Sequence, residues 1–202
     1  MSASRPLPAL ILHFFGRPVQ RPSRCRRVDR IRLDVLLKRL DVRPLALDDL
    51  DNLASMLGDA DGLVHWGPPR NREKSRSWIE RNIRRYEEDR FGRCAVILRD
   101  TGEFVGDCGL IRTRVERQSE VELGWIVRRA HRGKGIATEA AASWRDYAFD
   151  TLGLERIVSM VSENNVASRR VAEKLGMTVE REATWGDLPH LMYFLQRDHR
   201  SR

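Results

Sequence analysis

From Val127 to Thr138 the chain reads Val-Arg-Arg-Ala-His-Arg-Gly-Lys-Gly-Ile-Ala-Thr. A strand-like apolar run enters this stretch and a helical pattern leaves it, so its glycines sit at a strand–turn–helix junction. The N-terminus of a helix carries unpaired N–H groups and a partial positive charge, the combination that holds phosphate. Gly133 and Gly135, with the small Ala137, let an anion approach the main chain, and Arg132 and Lys134 add formal charge beside it. The setting suits an anion, although such turns are more often merely turns. A short Gly-x-Gly turn is weak evidence by itself. The Walker pattern G-x-x-x-x-G-K-[ST] occurs nowhere in the chain. The dinucleotide fingerprint finds two glycines but meets Thr138 where the third should stand. Its candidate ribose acid, Glu163, lies 28 residues beyond Gly135, where about 20 is usual.

A third pattern fits better. Arg132-x-x-Gly135-x-Ala137 matches [Q/R]-x-x-G-x-[G/A], and the segment from Asn165 to Met177 follows N-x-x-S-x-x-x-x-x-K-L-G-[FM]. Both motifs, in this order, resemble those of the GNAT family of N-acetyltransferases. The flanks Leu40 to Leu45, His65-Trp66-Gly67, Val121 to Gly124 and Ala137 to Ala140 look like the branch related to ribosomal-protein N-terminal (alanine) acetyltransferases. The resemblance covers about residues 39–197. It implies an acyltransferase fold and acetyl-CoA as donor, with direct transfer to a primary amine on a protein N-terminus or a small molecule. It also implies that the strand before the turn splays from its neighbour to leave a V-shaped cleft, and that the turn holds the pyrophosphate on the amides of Arg132, Gly133, Lys134, Gly135, Ile136, Ala137 and Thr138. Backbone groups near Trp125, Ile126 and Val127 would pair with pantetheine and polarise the thioester carbonyl as an oxyanion donor. Asn165 would reach the pantetheine arm; a plain helix N-cap is the alternative, and the two roles are compatible.

Acetyl transfer to an amine requires a proton to leave the nucleophile and the departing thiolate to be stabilised. Many members of the family carry a tyrosine acid four residues before the K-L-G glycine. Here that position is Ala172, and Ser168, one helical turn earlier, is the expected substitute; a serine there also often serves only its local backbone. Two bases are candidates. Glu122 lies on the strand lining the implied cleft, and His190 begins the last expected strand with an ordinary pKa near 6.5. A solvent-facing strand glutamate and an ordinary surface histidine are the alternatives. Trp66 and Trp185, expected in loops, line the acceptor site or cover the edge of the core.

The elements that must position these residues follow from periodicity and punctuation. Leu40 to Leu45 alternates as an edge strand limited by Pro44. Asp48 is the expected N-cap of a helix to Leu57, and Asn71 that of a helix to about Glu88. Cys94–Leu98, Phe104–Arg114 and Val121–Val127 read as three strands with a hairpin signal at Arg99 to Gly102. A helix is predicted from about Gly135 to Leu152, then a strand Ile157–Val161, a helix from Asn165 to Leu175 with Gly176 as its C′ residue, and strands Met177–Ala183 and Leu191–Leu195. Hairpins early and a crossover late predict one mixed, mostly antiparallel α/β (α+β) sheet with helices on both faces.

With 202 residues, 41% of them hydrophobic and 33% charged, the chain can bury a core. Residues 1–40 hold ten basic and two acidic side chains, so the whole net charge of +8 resides there. Residues 1–38 are expected to be a disordered basic extension, 39–198 the acetyltransferase domain and 199–202 a short tail. Nucleic-acid binding would rest on the extension alone, because the remainder has no net basic field. A non-catalytic acyl-CoA-binding module is the other competing class. No apolar run is long enough to cross a membrane as a helix. Cys25, Cys94 and Cys108 form no metal-binding spacing and no disulfide framework, which predicts no metal and a cytoplasmic, reducing setting. A monomer or homodimer is expected.

Overall fold

The computed structural model describes residues 37–65, 67–185 and 188–198. The readings made for residues 1–36, Trp66 and 199–202 fall outside them. Seven strands, β1 (Leu40–Pro44), β2 (Arg93–Leu98), β3 (Phe104–Val115), β4 (Gln118–Val127), β5 (Arg156–Val161), β6 (Thr178–Trp185) and β7 (Leu188–Gln196), form a single sheet. Their spatial order is β1-β2-β3-β4-β5-β7-β6, and every neighbouring pair is antiparallel except β4–β5. The helices are α1 (Leu50–Leu57), α2 (Arg72–Glu88), α3 (Ile136–Asp146) and α4 (Val166–Lys174). Both faces of the sheet are covered. Leu123, Trp125 and Ile157 pack with Ile136, Trp144 and Ala172 of α3 and α4. Ala95, Phe104 and Ile126 pack with Leu53, Leu57 and Ile79 of α1 and α2. The expected mixed, mostly antiparallel sheet with two helical layers is therefore observed.

Local signals fix most element ends. The Asn71 side chain accepts the Lys74 N–H at 2.9 Å and starts α2. Asn165 accepts the Ser168 N–H at 3.1 Å and starts α4. Gly176, at φ +85°, follows α4 in the left-handed conformation that a β-carbon disfavours. Four boundaries differ from expectation. Asp48 does not cap α1: a 3-10 turn, Leu47–Asp49, precedes that helix. The Asp49 carboxylate instead accepts the Ala46 N–H at 2.9 Å and pairs with Arg43 at 2.6 and 2.7 Å. The predicted 135–152 helix is α-helical only to Asp146 and finishes as a π-type turn, Tyr147–Thr151. His190 is the third residue of β7, not its start, and Trp185 ends β6 instead of lying in a loop.

The parallel pair positions the site. Only Glu122↔Val158 is in register between β4 and β5, and beyond it the strands diverge. Ser159 bridges the fork, its Oγ donating to the Leu123 carbonyl at 2.6 Å.

Candidate active site

A strand that loses its neighbour halfway along leaves peptide groups without partners. Within a strand, alternate residues turn both peptide groups to the same side. The Leu123 carbonyl faces β5, where Ser159 takes it, and the Val127 carbonyl receives Arg132 Nε at 3.1 Å. By the same alternation, the N–H and C=O of Trp125 and the N–H of Val127 point into the gap. Ile126, opposite Asp107, turns its peptide groups toward β3. Of the three residues expected to offer backbone groups, Ile126 therefore contributes only wall.

The gap opens on the α3–α4 face into a groove of about 350 Å³. Trp125, Ile126 and Val127 form one wall, and the turn Arg132, Gly133, Gly135, Ile136, Ala137 and Thr138 forms its end. Gly133 and Gly135 have φ of +75° and +79°, so the turn needs residues without a β-carbon penalty. Gly135 is the N-cap of α3 and leaves the first-turn amides of that helix without a side-chain cap. The Arg132 guanidinium donates to the Val127 and Gly62 carbonyls, so it braces the turn while lining the groove. Lys134 does not line the groove. Further cations come from Arg170 and Lys174, which reach the groove from α4 along with Asn165, Ala167, Ser168 and Val171. Their spacing of three and four residues on one helix was the available signal.

A smaller pocket lies at the fork itself, lined by His65, Glu122, Ser159, Asn165, Ser168, Trp185 and His190 among others. It brings together every catalytic candidate read from the sequence. Glu122 is 3% exposed, not solvent-facing, and its Oε2 has no hydrogen-bond partner among the described residues. Burial pushes its carboxyl up to about 7, against the pull of the Arg93 and Arg85 guanidinium groups. Arg93 is itself buried and paired with Asp107, whose other oxygen accepts the Trp78 indole N–H at 2.9 Å. Gly124 makes room for this arrangement, since a β-carbon there would overlap the Arg93 guanidinium.

His190 is also buried, and its Nδ1 lies 3.0 Å from the Leu188 carbonyl. A carbonyl only accepts, so Nδ1 is the donor in this contact. The ring meets Trp185 edge-on at 5.5 Å. Ser168 lines both the small pocket and the groove, so it stands where the two meet. Ala172, at the position of the absent tyrosine, is fully buried in the core and lines neither. His65 was noted only as part of a flank, yet it borders both cavities and a neighbouring groove of about 310 Å³ leading to His190. Cys94 and Cys108 are buried free thiols, and burial pushes Cys108 up to about 12. Among the described residues no group of His, Cys, Asp and Glu is placed to hold a metal, and no helix is long and apolar enough to cross a membrane.

Residues 39–178 match the acetyltransferase (GNAT) domain family. The chain is 30% identical over 167 residues to the uncharacterized protein YkkB of Bacillus subtilis (strain 168), covering 82% of this chain and 91% of that one. It is 27% identical to a spermidine N(1)-acetyltransferase of Escherichia coli (strain K12), over 79% of this chain and 81% of that one. The crystal structure of an acetyltransferase from Agrobacterium tumefaciens str. C58 superposes with a TM-score of 0.71 at 30% identity, covering 80% of this chain and 92% of that one. A ribosomal-protein-S5-alanine acetyltransferase from Vibrio fischeri shares the fold, with a TM-score of 0.66 at 19% identity, over 80% of this chain and 95% of that one.

Proposed function

The chain belongs to the GNAT acetyltransferase family and is an acetyl-CoA-dependent N-acetyltransferase, and from that premise we propose which residues carry the transfer. The observation that carries the assignment is the meeting of groove and pocket at the β4–β5 fork. The groove reaches the fork from the α3–α4 face. On β4, Glu122 shares a strand face with Ile126, which packs toward α1 and α2. The donor thus enters on one face of the sheet and the amine on the other.

In this reading the turn amides between Gly133 and Thr138 hold the pyrophosphate, with Arg170 and Lys174 supplying formal charge from α4. Trp125 and Val127 pair with the pantetheine amides, and one of their N–H groups receives the thioester oxygen as it becomes an oxyanion. Asn165, already the cap of α4, lies along the same arm. Glu122 as carboxylate takes a proton from the incoming ammonium group, and the free amine nitrogen then attacks the thioester carbon. A C–N bond forms while the carbonyl electron pair moves onto oxygen. The pair returns, the C–S bond breaks, and the sulfur leaves with the electrons as thiolate, stabilised by the Ser168 hydroxyl, and takes up the second proton that the nitrogen sheds as the neutral amide forms. His190, held by the Leu188 carbonyl and by Trp185, orients the acceptor. The protein is assigned to the cytoplasm, where its two buried thiols would stay reduced.

The acceptor is a primary amine, on a protein N-terminus or a small molecule. The test is thiol release from acetyl-CoA over a panel of N-terminal peptides, aminoglycosides and polyamines. Release with one class and acetylated product in equal amount are expected. Tight acetyl-CoA binding with no release for any amine would reduce the protein to an acyl-CoA-binding module.

A further inference from the structure

We propose that Arg39 and Glu139 form a strut that positions the anion-binding turn, making both of them positioning residues for the donor. This rests on the reading that the turn amides hold the pyrophosphate. Glu139 is the acidic residue in the first turn of α3. Its Oε1 accepts the backbone N–H groups of Lys38 at 3.0 Å and Arg39 at 2.9 Å. Its Oε2 accepts Arg39 Nε at 3.0 Å. The same guanidinium donates through Nη2 to the Lys134 carbonyl at 3.1 Å. One arginine at the entrance to β1 thus ties the apex of the turn to the helix it opens.

The direction of that tie matters. In a trans peptide the C=O and the following N–H point opposite ways. No peptide among the described residues is cis. Holding the Lys134 carbonyl on Arg39 therefore aims the Gly135 N–H away from Arg39. Gly135 lines the donor groove and Arg39 does not, so the amide is turned to the groove side. Gly133 and Gly135, on either side of Lys134, carry no β-carbon to restrict the turn, so the tie supplies a restraint that side chains there do not.

Charge gives Arg39 a second role. A carboxylate one turn into a helix opposes an anion at its N-terminus. Burial alone would push the Glu139 carboxyl up, but the N–H and guanidinium of Arg39 outweigh that and hold it below the usual range. Glu139 is thus ionised and neutralised at once. Arg39 Nη2 would lie 3.6 Å from a β-carbon at Gly135, so the compensating charge stands beside the turn.

The test compares acetyl-CoA with S-acetylpantetheine, which has the same thioester and no pyrophosphate, in steady-state assays of the full chain. The native protein should prefer acetyl-CoA. Arg39→Ala should raise the KM for acetyl-CoA on the order of tenfold, the weight of one charge-assisted contact. Its kcat should change by less than about twofold, and its preference for acetyl-CoA should shrink with the KM. Arg39→Lys should recover part of the loss. The double variant Arg39→Ala, Glu139→Gln should bind acetyl-CoA better than Arg39→Ala alone, because the orphaned carboxylate is gone. If Arg39→Ala does not fold, Arg39→Met keeps the aliphatic stem, leaves both backbone N–H groups on Glu139 and carries the same expectation for the preference. A folded single variant with the native preference overturns the strut while leaving the pyrophosphate site standing. A native protein that does not distinguish the two donors overturns both.

Discussion

Glu122 accepts a proton from the ammonium group only while ionised, and burial works against that form. With the carboxyl raised to about 7, kcat/KM should climb through pH 7 as protons leave it. Glu122→Gln should remove this acidic limb and lower kcat/KM at pH 8 on the order of a hundredfold, whereas His190→Ala should keep the limb and raise the KM of the acceptor. The same group links stability to pH. Its folded pKa lies above the unfolded value near 4.5, so its contribution is fully present below pH 4.5 and is lost as pH rises through 7. Glu122→Gln should therefore melt higher than the native protein at pH 8 and lose that advantage at pH 4, which thermal unfolding at the two values will check. Ser168 poses a separate question, because it touches the donor side of the fork. Ser168→Ala should lower kcat about tenfold to a hundredfold and change the KM for acetyl-CoA less, since its interaction grows as the sulfur departs. Near-normal kcat with saturating donor would return Ser168 to a structural role. The residue types were legible in the sequence, but their surroundings were not. Alternation placed Glu122 and Gly124 together on one face; that this face is buried depends on α2 and on Arg93, far away in the chain.

At the level of elements, the turn before α3 is the part most exposed to test. Gly135→Val would put a branched side chain at φ +79°, where strain costs about 1–2 kcal/mol, and would crowd the amides the pyrophosphate needs. Gly153, at φ +64° with nothing near a β-carbon, supplies the control for strain alone. Acetyl-CoA affinity should fall at least about tenfold in Gly135→Val and stay native in Gly153→Val, with similar losses in melting temperature. Equal affinities in the two variants would take the pyrophosphate off this turn. The contrast between these glycines also marks what sequence reading reaches. Caps at Asn71 and Asn165 and the stop at Gly176 depend on neighbours within a few residues, and they were readable. The start of α1 was misread because Asp49 answers to Arg43 across a strand end, and α3 ends early in a π-type turn that no periodicity announced. Strand order was the least readable feature, with β7 lying between β5 and β6. The fork between β4 and β5 came from the family resemblance alone, because a missing registry leaves no mark on either strand's own pattern.

For the whole molecule, the question is where the functional unit begins and what the basic segment adds. Residues 1–36 hold eight basic and two acidic side chains, six of the eight net positive charges. The charge therefore changes abruptly where the core begins. Leu37 is buried in the main core at 7% exposure, and the next two residues are fastened to Glu139. The domain start expected at residue 39 lies inside a stretch that packs and pairs, and we propose that the folded unit includes residues 37 and 38. A chain covering 37–202 should melt within a few degrees of the full chain and keep its kcat and its KM for acetyl-CoA. It should also lose most of any salt-sensitive retention on a polyanion such as heparin, because the remaining surface carries little net charge. A chain starting at Leu40 removes Leu37 and the whole strut, so its KM for acetyl-CoA should rise at least as far as in Arg39→Ala, with a lower melting temperature. Measuring thermal unfolding, donor KM and heparin elution for the three chains separates core, strut and charge. If the 37–202 chain is insoluble or inactive, residues 1–36 are part of the folded unit. If it still binds heparin as the full chain does, the basic surface belongs to the domain, and the nucleic-acid reading regains its footing.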